Sequence, residues 1–319
     1  MPGFLFARIR EISEPTRTGR ERPATGQKRG RRVDLGIFLL SFSAAVFLAL
    51  GLVLTTFGLR SLSPLVGASY SVPTSFVMFL VISPVTVDLS GLDWRAAAIF
   101  AAAGVFYPAV VSMLNFMSNR ALGPNLTGGL GNLSPIFAIG LAVVLLGELP
   151  SVAQWAGIAA VCAGLVLLAL DRARRIPGTR LKLLAVPLAG AFFRGAVQPV
   201  VKLGLLIWPS AFAAALLGYL MSSLVIWIMR LATGQKTPPG ARAGVLWFMS
   251  IGLCNGIALV LLYLALGRGE VVQVSPVVAL YPLLTIGLNR MIHGDRSMGP
   301  RGLLGSLVSV AGVIVVLLG

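Results

Sequence analysis

Asn132-Leu-Ser-Pro-Ile-Phe-Ala-Ile-Gly140 and Leu280-Tyr-Pro-Leu-Leu-Thr-Ile-Gly287 are two versions of one passage. In each a proline, Pro135 or Pro282, interrupts an apolar run and an Ile-Gly pair follows it. Each passage then closes on a glycine and an acid, Gly147-Glu148 in the first copy and Gly294-Asp295 in the second. Outward from there the match continues, with Gly157 and Gly164 answering to Gly305 and Gly312. A doubled array of apolar helices with proline at corresponding places is how many secondary carriers are built, so the pattern points to transport before catalysis.

Composition agrees. Hydrophobic residues are 57% of the chain and charged ones 11%, against roughly 45–50% and 25% in soluble domains. With a mean hydropathy of +0.91, the chain reads as an integral, multi-pass membrane protein with the lipid bilayer as its solvent. The 37 glycines suit helices that pack closely where lipid gives little hydrophobic drive. Cys162 and Cys254 both lie in apolar segments and read as small packing residues, not a disulfide framework.

A net charge of +16 would suggest nucleic acid in a soluble protein, but here the cations gather at the ends of spans. Residues 1–34 form a basic tail running from Arg8 to Arg32, mixed with Pro, Gly and Thr; this composition predicts disorder. The apolar run Leu35 to Phe57 is long enough to span and lacks a small-residue cleavage site, so no secretory signal is expected. Ten spans are predicted: 35–57, 64–86, 95–118, 125–147, 151–170, 183–207, 210–231, 243–266, 271–292 and 301–318. Each is near the roughly 20 apolar residues that cross a bilayer. A basic linker, 171–182, separates a first half, 35–170, from a second, 183–319. Five spans is an odd number, so the second half enters from the opposite side. The predicted fold is an all-α polytopic membrane protein built of two inverted five-helix repeats.

The stretches Asn115-Phe-Met-Ser-Asn-Arg-Ala-Leu122, Leu145-Leu-Gly-Glu-Leu-Pro-Ser-Val-Ala-Gln-Trp-Ala-Gly-Ile158 and Ala163-Gly-Leu165 resemble the EamA-type repeat of the drug/metabolite transporter superfamily. A looser second copy shows in Leu262-Tyr-Leu-Ala-Leu-Gly267, Leu280-Tyr-Pro282, Gly294-Asp-Arg296 and Leu304-Gly-Ser306. The resemblance covers nearly everything but the tail. It implies a bundle with a central cavity, alternating access and both termini in the cytoplasm, in a plasma (inner) membrane. Its motifs are specific for fold and weak for substrate, since the superfamily carries amino acids, metabolites, nucleotide sugars and drugs.

The sharpest local signal is in the sixth span. Arg194, Gln198 and Lys202 are spaced i, i+4 and i+8, which predicts one polar helix face. A cation at the bilayer centre costs about 2.5–3.5 kcal/mol even on the lenient insertion scale. This face is therefore expected to look into a wet cavity; the alternative is that its members pair with helix-end carbonyls or loop acids. No Asp or Glu lies deep in any span, with Asp88 and Asp93 in a loop and Glu148, Glu270 and Asp295 near helix ends. Small multidrug exporters of the same superfamily depend on a buried carboxylate to exchange protons for cationic drugs, and this chain departs from that pattern. Positive charge without a central carboxylate favours an anionic or zwitterionic substrate, such as an amino acid or organic anion. Glu270 is the candidate to neutralise Arg194 or to shuttle a proton.

Asn115, Asn255, Gln273 and Tyr281 are the further candidate substrate contacts, joined by Tyr107, Tyr263, Asn132, Ser134 and Ser275 as intramembrane polar groups. The alternative for each is an interhelical packing hydrogen bond. Pro135 and Pro282 are expected to kink their helices, as hinges or by exposing a carbonyl at the cavity. Gly147-Glu148 and Gly294-Asp295 are expected to end the fourth helix of each repeat.

Enzyme chemistry finds no footing. His293 is the single histidine, so no multi-histidine metal site is expected, and no P-loop, dinucleotide fingerprint or nucleophile elbow is present. No cofactor, metal or nucleic acid is predicted; the expected partners are a small-molecule substrate, the lipid bilayer and a coupling ion or proton. Loop charge runs against the orientation implied by the resemblance: tail-side loops carry Arg95 and Arg268, the opposite loops many more cations, and the positive-inside rule then puts the tail outside. The tail's own cations argue for the cytoplasm, which is the orientation expected here. The function expected is a secondary carrier of a small polar metabolite. The alternatives are an exporter of drugs or of nucleotide-sugar or lipid-linked substrates and, from another class, a non-transporting membrane scaffold.

Overall fold

A computed structural model describes residues 34–131, 133–173, 181–293 and 300–318. Most of the basic tail and linker, together with Asn132, Gly294 and Asp295, lie outside the described residues. Every regular element among the described residues is helical: α1 (Leu35–Gly58), α2 (Pro64–Thr86), α3 (Trp94–Gly104), α4 (Val111–Gly131), α5 (Ser134–Leu146), α6 (Val152–Ala173), α7 (Leu181–Ile207), α8 (Ala211–Thr233), α9 (Arg242–Arg268), α10 (Val271–Val278), α11 (Tyr281–His293) and α12 (Pro300–Leu318). In hydrocarbon each backbone polar group must be satisfied within its own segment, which leaves a chain of this composition little but helix.

The loops carry the expected start and stop chemistry. Asp34, Ser63, Asp93 and Ser210 cap α1, α2, α3 and α8 by accepting backbone N–H groups of the first turn. Gly147 and Gly234 end α5 and α8 with φ of +66° and +61°, the left-handed conformation that glycine adopts without steric penalty. The expected end of the fourth span at Gly147 is thus where the chain turns.

Among the described residues seven helices are long and apolar enough to cross a membrane, and three shorter apolar helices accompany them, Ser134–Leu146, Val152–Leu167 and Leu304–Leu318. Among the described residues, helices lie along the predicted segments, but the third, fourth and ninth are divided differently from expectation. The third does not stop at 118: α3 passes through the i→i+5 stretch Val105–Val110, kinked at Tyr107 (φ −135°, ψ 121°), into α4, and the chain breaks at Gly123 (φ +77°, ψ 166°). Pro124 follows, and a residue before proline is driven out of the α region. The fourth segment, expected as one kinked helix over 125–147, is instead two pieces.

Its counterpart behaves identically. α4 ends at Gly131 and α10 at Val278, each four residues before a matched proline. A proline ring clashes with the carbonyl four residues back and offers it no N–H. Each chain then makes a tight i→i+3 turn, Leu133 N–H donating to Leu130 O at 3.2 Å and Leu280 N–H to Val277 O at 3.1 Å. Pro135 and Pro282 therefore occupy the second position of a restarted helix, where the missing N–H costs nothing. The expected kink is a break.

Contacts between the halves come in equivalent pairs. Ser75 Oγ donates to the Gly252 carbonyl at 2.7 Å, and Ser222, 147 residues on from Ser75, donates to the carbonyl of Gly104, 148 residues before Gly252. Phe100 of the first half fills the space over Gly204, and Phe248 of the second fills that over Gly58, where an added Cβ would come 2.8 Å from the ring. On α6 and α12, Gly157 packs on Gly312 and Gly164 on Gly305; a Cβ on Gly157 would sit 2.7 Å from the Gly312 carbonyl. Close backbone approach of this kind is how helices gain dispersion contacts in lipid.

Candidate functional site

The site grows from the two helix breaks. α7 presses Gly195 against the start of α5, where a Cβ would collide with the Ser134 carbonyl and lie 2.8 Å from Phe137 Cβ. Arg194, the preceding residue, is thereby delivered beside the first break. Its Nη1 donates to Tyr281 Oη at 2.7 Å, and Tyr281 is the first residue of α11, directly after the second break. Gly131, the last residue of α4, leaves room for both: a Cβ there would stand 2.5 Å from Tyr281 Oη and 3.7 Å from Arg194 Nη1. The interrupted helices of the two halves meet at one guanidinium.

Arg194 is 6% exposed and Nε has no hydrogen-bond partner. Among the described residues it pairs with no carboxylate, so the expected Glu270 neutralisation is replaced by the Tyr281 hydroxyl. A small cavity of ≈ 30 Å³ opens beside it, lined by Leu48, Gly51, Leu52 and Thr55 of α1, Asn115, Phe116 and Thr127 of α4, Asn255 of α9, Arg194 and Tyr281. A water needs about 10–15 Å³ of such volume, so this conformation admits water but no metabolite; a substrate must part the helices to enter. Four expected substrate contacts, Arg194, Asn115, Asn255 and Tyr281, come together here.

The other three do not line the cavity. Gln198 is 3% exposed with Oε1 unpartnered, and Gln273 is buried in α10. Lys202 donates to Glu148 Oε1 and to the Gly269 carbonyl, both at 2.7 Å, while Glu148 Oε2 accepts from Val272 N–H at 3.3 Å. The expectation of a single cavity face therefore fails for Lys202, which takes the alternative of a loop acid and a helix-end carbonyl. At 3.6 residues per turn, eight residues leave a side chain about 80° round the helix from its starting face. Glu148, expected to be only a helix end, is the acid that holds together α5, α7 and the start of α10.

Some residues at the site were not among those expected from the sequence. Thr55 and Thr127 line the cavity, Gly51 makes room for Asn255, whose Oδ1 would be 2.6 Å from a Cβ there, and Asn119 Nδ2 donates to Leu52 O at 3.2 Å. Asn119 falls one turn after Asn115 on α4, a spacing that could have flagged it. Of the other polar groups expected inside the bundle, Tyr107, Ser134, Tyr263 and Ser275 are all buried.

Among the described residues a bundle of apolar helices with a buried polar cluster between its halves defines a multi-pass membrane protein. A model of the EamA-like transporter family matches residues 35–170 and 181–318, and the chain belongs to that family. Members of this family are transporters of the drug/metabolite superfamily, not enzymes. A solved crystal structure superposes with a TM-score of 0.68 at 16% identity, covering 88% of this chain and 95% of that one. It supports the fold. No curated protein matches the chain.

Proposed function

We propose that the protein is a secondary carrier of a small anionic or zwitterionic metabolite, bound at Arg194 and moved by alternating access. The observation that carries this reading is the guanidinium held between two broken helices, beside amides and hydroxyls and away from any described carboxylate. Discontinuous helices at mid-bundle are where carriers hold polar cargo. Cationic drugs are disfavoured by the same charge.

The ten segments cross the bilayer as two inverted repeats of five. The paired contacts favour a two-fold relation between the repeats, in which residue i touches j while j touches i, and the odd number of spans in each repeat makes that relation an inverted one. With no nucleotide-binding fold in the family match, the driving force is a gradient of substrate, ion or proton. Both termini lie in the cytoplasm and the bilayer is the plasma (inner) membrane. Proteoliposome uptake across amino acids, organic anions, nucleotide sugars and cationic drugs tests the function, with Arg194→Gln as the comparison. An anion or amino acid carried by the parent and lost in the folded variant is expected; normal uptake by Arg194→Gln would return Arg194 to a structural role.

A further inference from the structure

We infer that the substrate carries one net negative charge and no ammonium group: a small organic carboxylate whose remainder is hydroxylated or apolar. This rests on the carrier reading and narrows it. Two cations of α7 are withdrawn from lipid, and they differ in one respect. Lys202 is already neutralised by Glu148 at 2.7 Å, with 13% and 8% of the two side chains exposed. Arg194 is bound to an uncharged hydroxyl, and no carboxylate lines the cavity beside it among the described residues. The site therefore holds one uncompensated positive charge in a poorly solvated interior, where Coulomb terms are several-fold larger than in water.

A monoanion cancels that charge. A zwitterion brings its own cation into the same confined space and leaves the net charge where it was. Of the remaining polar groups, the Asn115 and Asn255 amides can donate to an oxyanion or bond a hydroxyl, while the Thr55 hydroxyl, whose proton goes to the Gly51 carbonyl at 2.8 Å, can accept from a substrate hydroxyl. They offer an ammonium group neutral acceptors but no fixed negative charge, and burying an ion without a counter-charge is costly. Arg194 also supplies a direction. Nη1 is committed to Tyr281, while Nε has no partner despite its burial. The Nε edge of a guanidinium is one of the forks that grip a carboxylate in two parallel bonds. Leu52 and Phe116 complete the wall and suit a short carbon skeleton.

The test uses the full chain, purified in detergent for ligand-dependent thermal stabilisation and reconstituted for uptake. Two sets of compounds with matched skeletons serve as probes: lactate, alanine and isopropylamine, then 2-hydroxyisocaproate, leucine and isoamylamine. The hydroxy acid of at least one set should stabilise and be transported, its amino acid should be weaker by more than about tenfold, and the amine should be inert. Arg194→Gln should abolish the response and Arg194→Lys should retain part of it. Asn255→Asp places a carboxylate in the cavity with Arg194, and it should weaken the hydroxy acid while admitting the amino acid. An amino acid that equals its hydroxy acid, with both lost in Arg194→Gln, would overturn the charge rule yet leave Arg194 as the binding site. Failure of every probe to bind, or binding indifferent to Arg194→Gln, would overturn the site itself and the inference with it.

Discussion

The chemistry of the molecule turns on how two cations of α7 are treated. Arg194 has a hydroxyl partner in Tyr281 and Lys202 an acid in Glu148. Tyr281→Phe removes the acceptor and leaves a buried guanidinium N–H unmet, at an expected cost of about 1–3 kcal/mol. Thermal unfolding in detergent should show it, together with an altered KM for the carried anion. The Lys202–Glu148 pair predicts a different signature. Lys202→Met or Glu148→Gln alone strands a mostly buried charge and should cost about 3–5 kcal/mol, whereas the double change should recover most of the loss. Additive losses in the double-mutant cycle would show that the two groups do not stabilise each other. Arg194 was legible in the sequence because a charge within an apolar run has few places to go. The partner of Lys202 was not, because Glu148 comes from the other repeat and no local spacing points to it.

At the scale of the helix, the matched prolines set the architecture of the centre. Because each sits at the second position of a restarted helix, Pro135→Ala or Pro282→Ala restores an N–H that can rejoin the carbonyl of Gly131 or Val278. Membrane insertion should survive both changes, and transport turnover should change, since closing a break alters where Tyr281 and the Gly131 notch stand. Unchanged turnover in both variants and in the double variant would make the breaks mere packing features. The prolines themselves were plain in the sequence. What was not legible was the outcome, a break where a bend was expected, because the same ring can bend a helix or end it depending on how neighbours satisfy the freed backbone. Gly51 and Thr55 stayed hidden for a related reason: α1 reads as a uniform apolar span, and the cavity it lines exists only once the second repeat packs against it.

For the molecule as a whole, the interface of α6 with α12 predicts how much its small residues matter. Gly157→Ala drives a methyl group into the Gly312 carbonyl and the Val316 backbone, and Gly312→Ala does the same against Gly157 and Val161. Overpacking of this kind costs typically about 1–3 kcal/mol, and both variants should lower the midpoint of thermal unfolding. Gly140→Ala is the control, because nothing lies within 4 Å of a Cβ there. Equal midpoints for all three would dismiss the close approach. Topology is tested by compartment-sensitive reporters on both ends: the ten-span arrangement expects them on one side, and reporters on opposite sides would sink it.

The serine bonds between the halves have a further consequence. Ser75 reaches from the first repeat to Gly252 in the second, and Ser222 reaches from the second to Gly104 in the first. Each half thus supplies the donor that the other's backbone carbonyl takes, and neither holds both ends of a bond. Both bonds join groups on separate halves, so neither depends on the halves belonging to one chain. The covalent link at 174–180 would then be a convenience, not a necessity. Two fragments cut within it and co-expressed should find each other in the membrane and recover function, Ser75→Ala and Ser222→Ala should each weaken that reunion, and either fragment by itself should be cleared as an orphan.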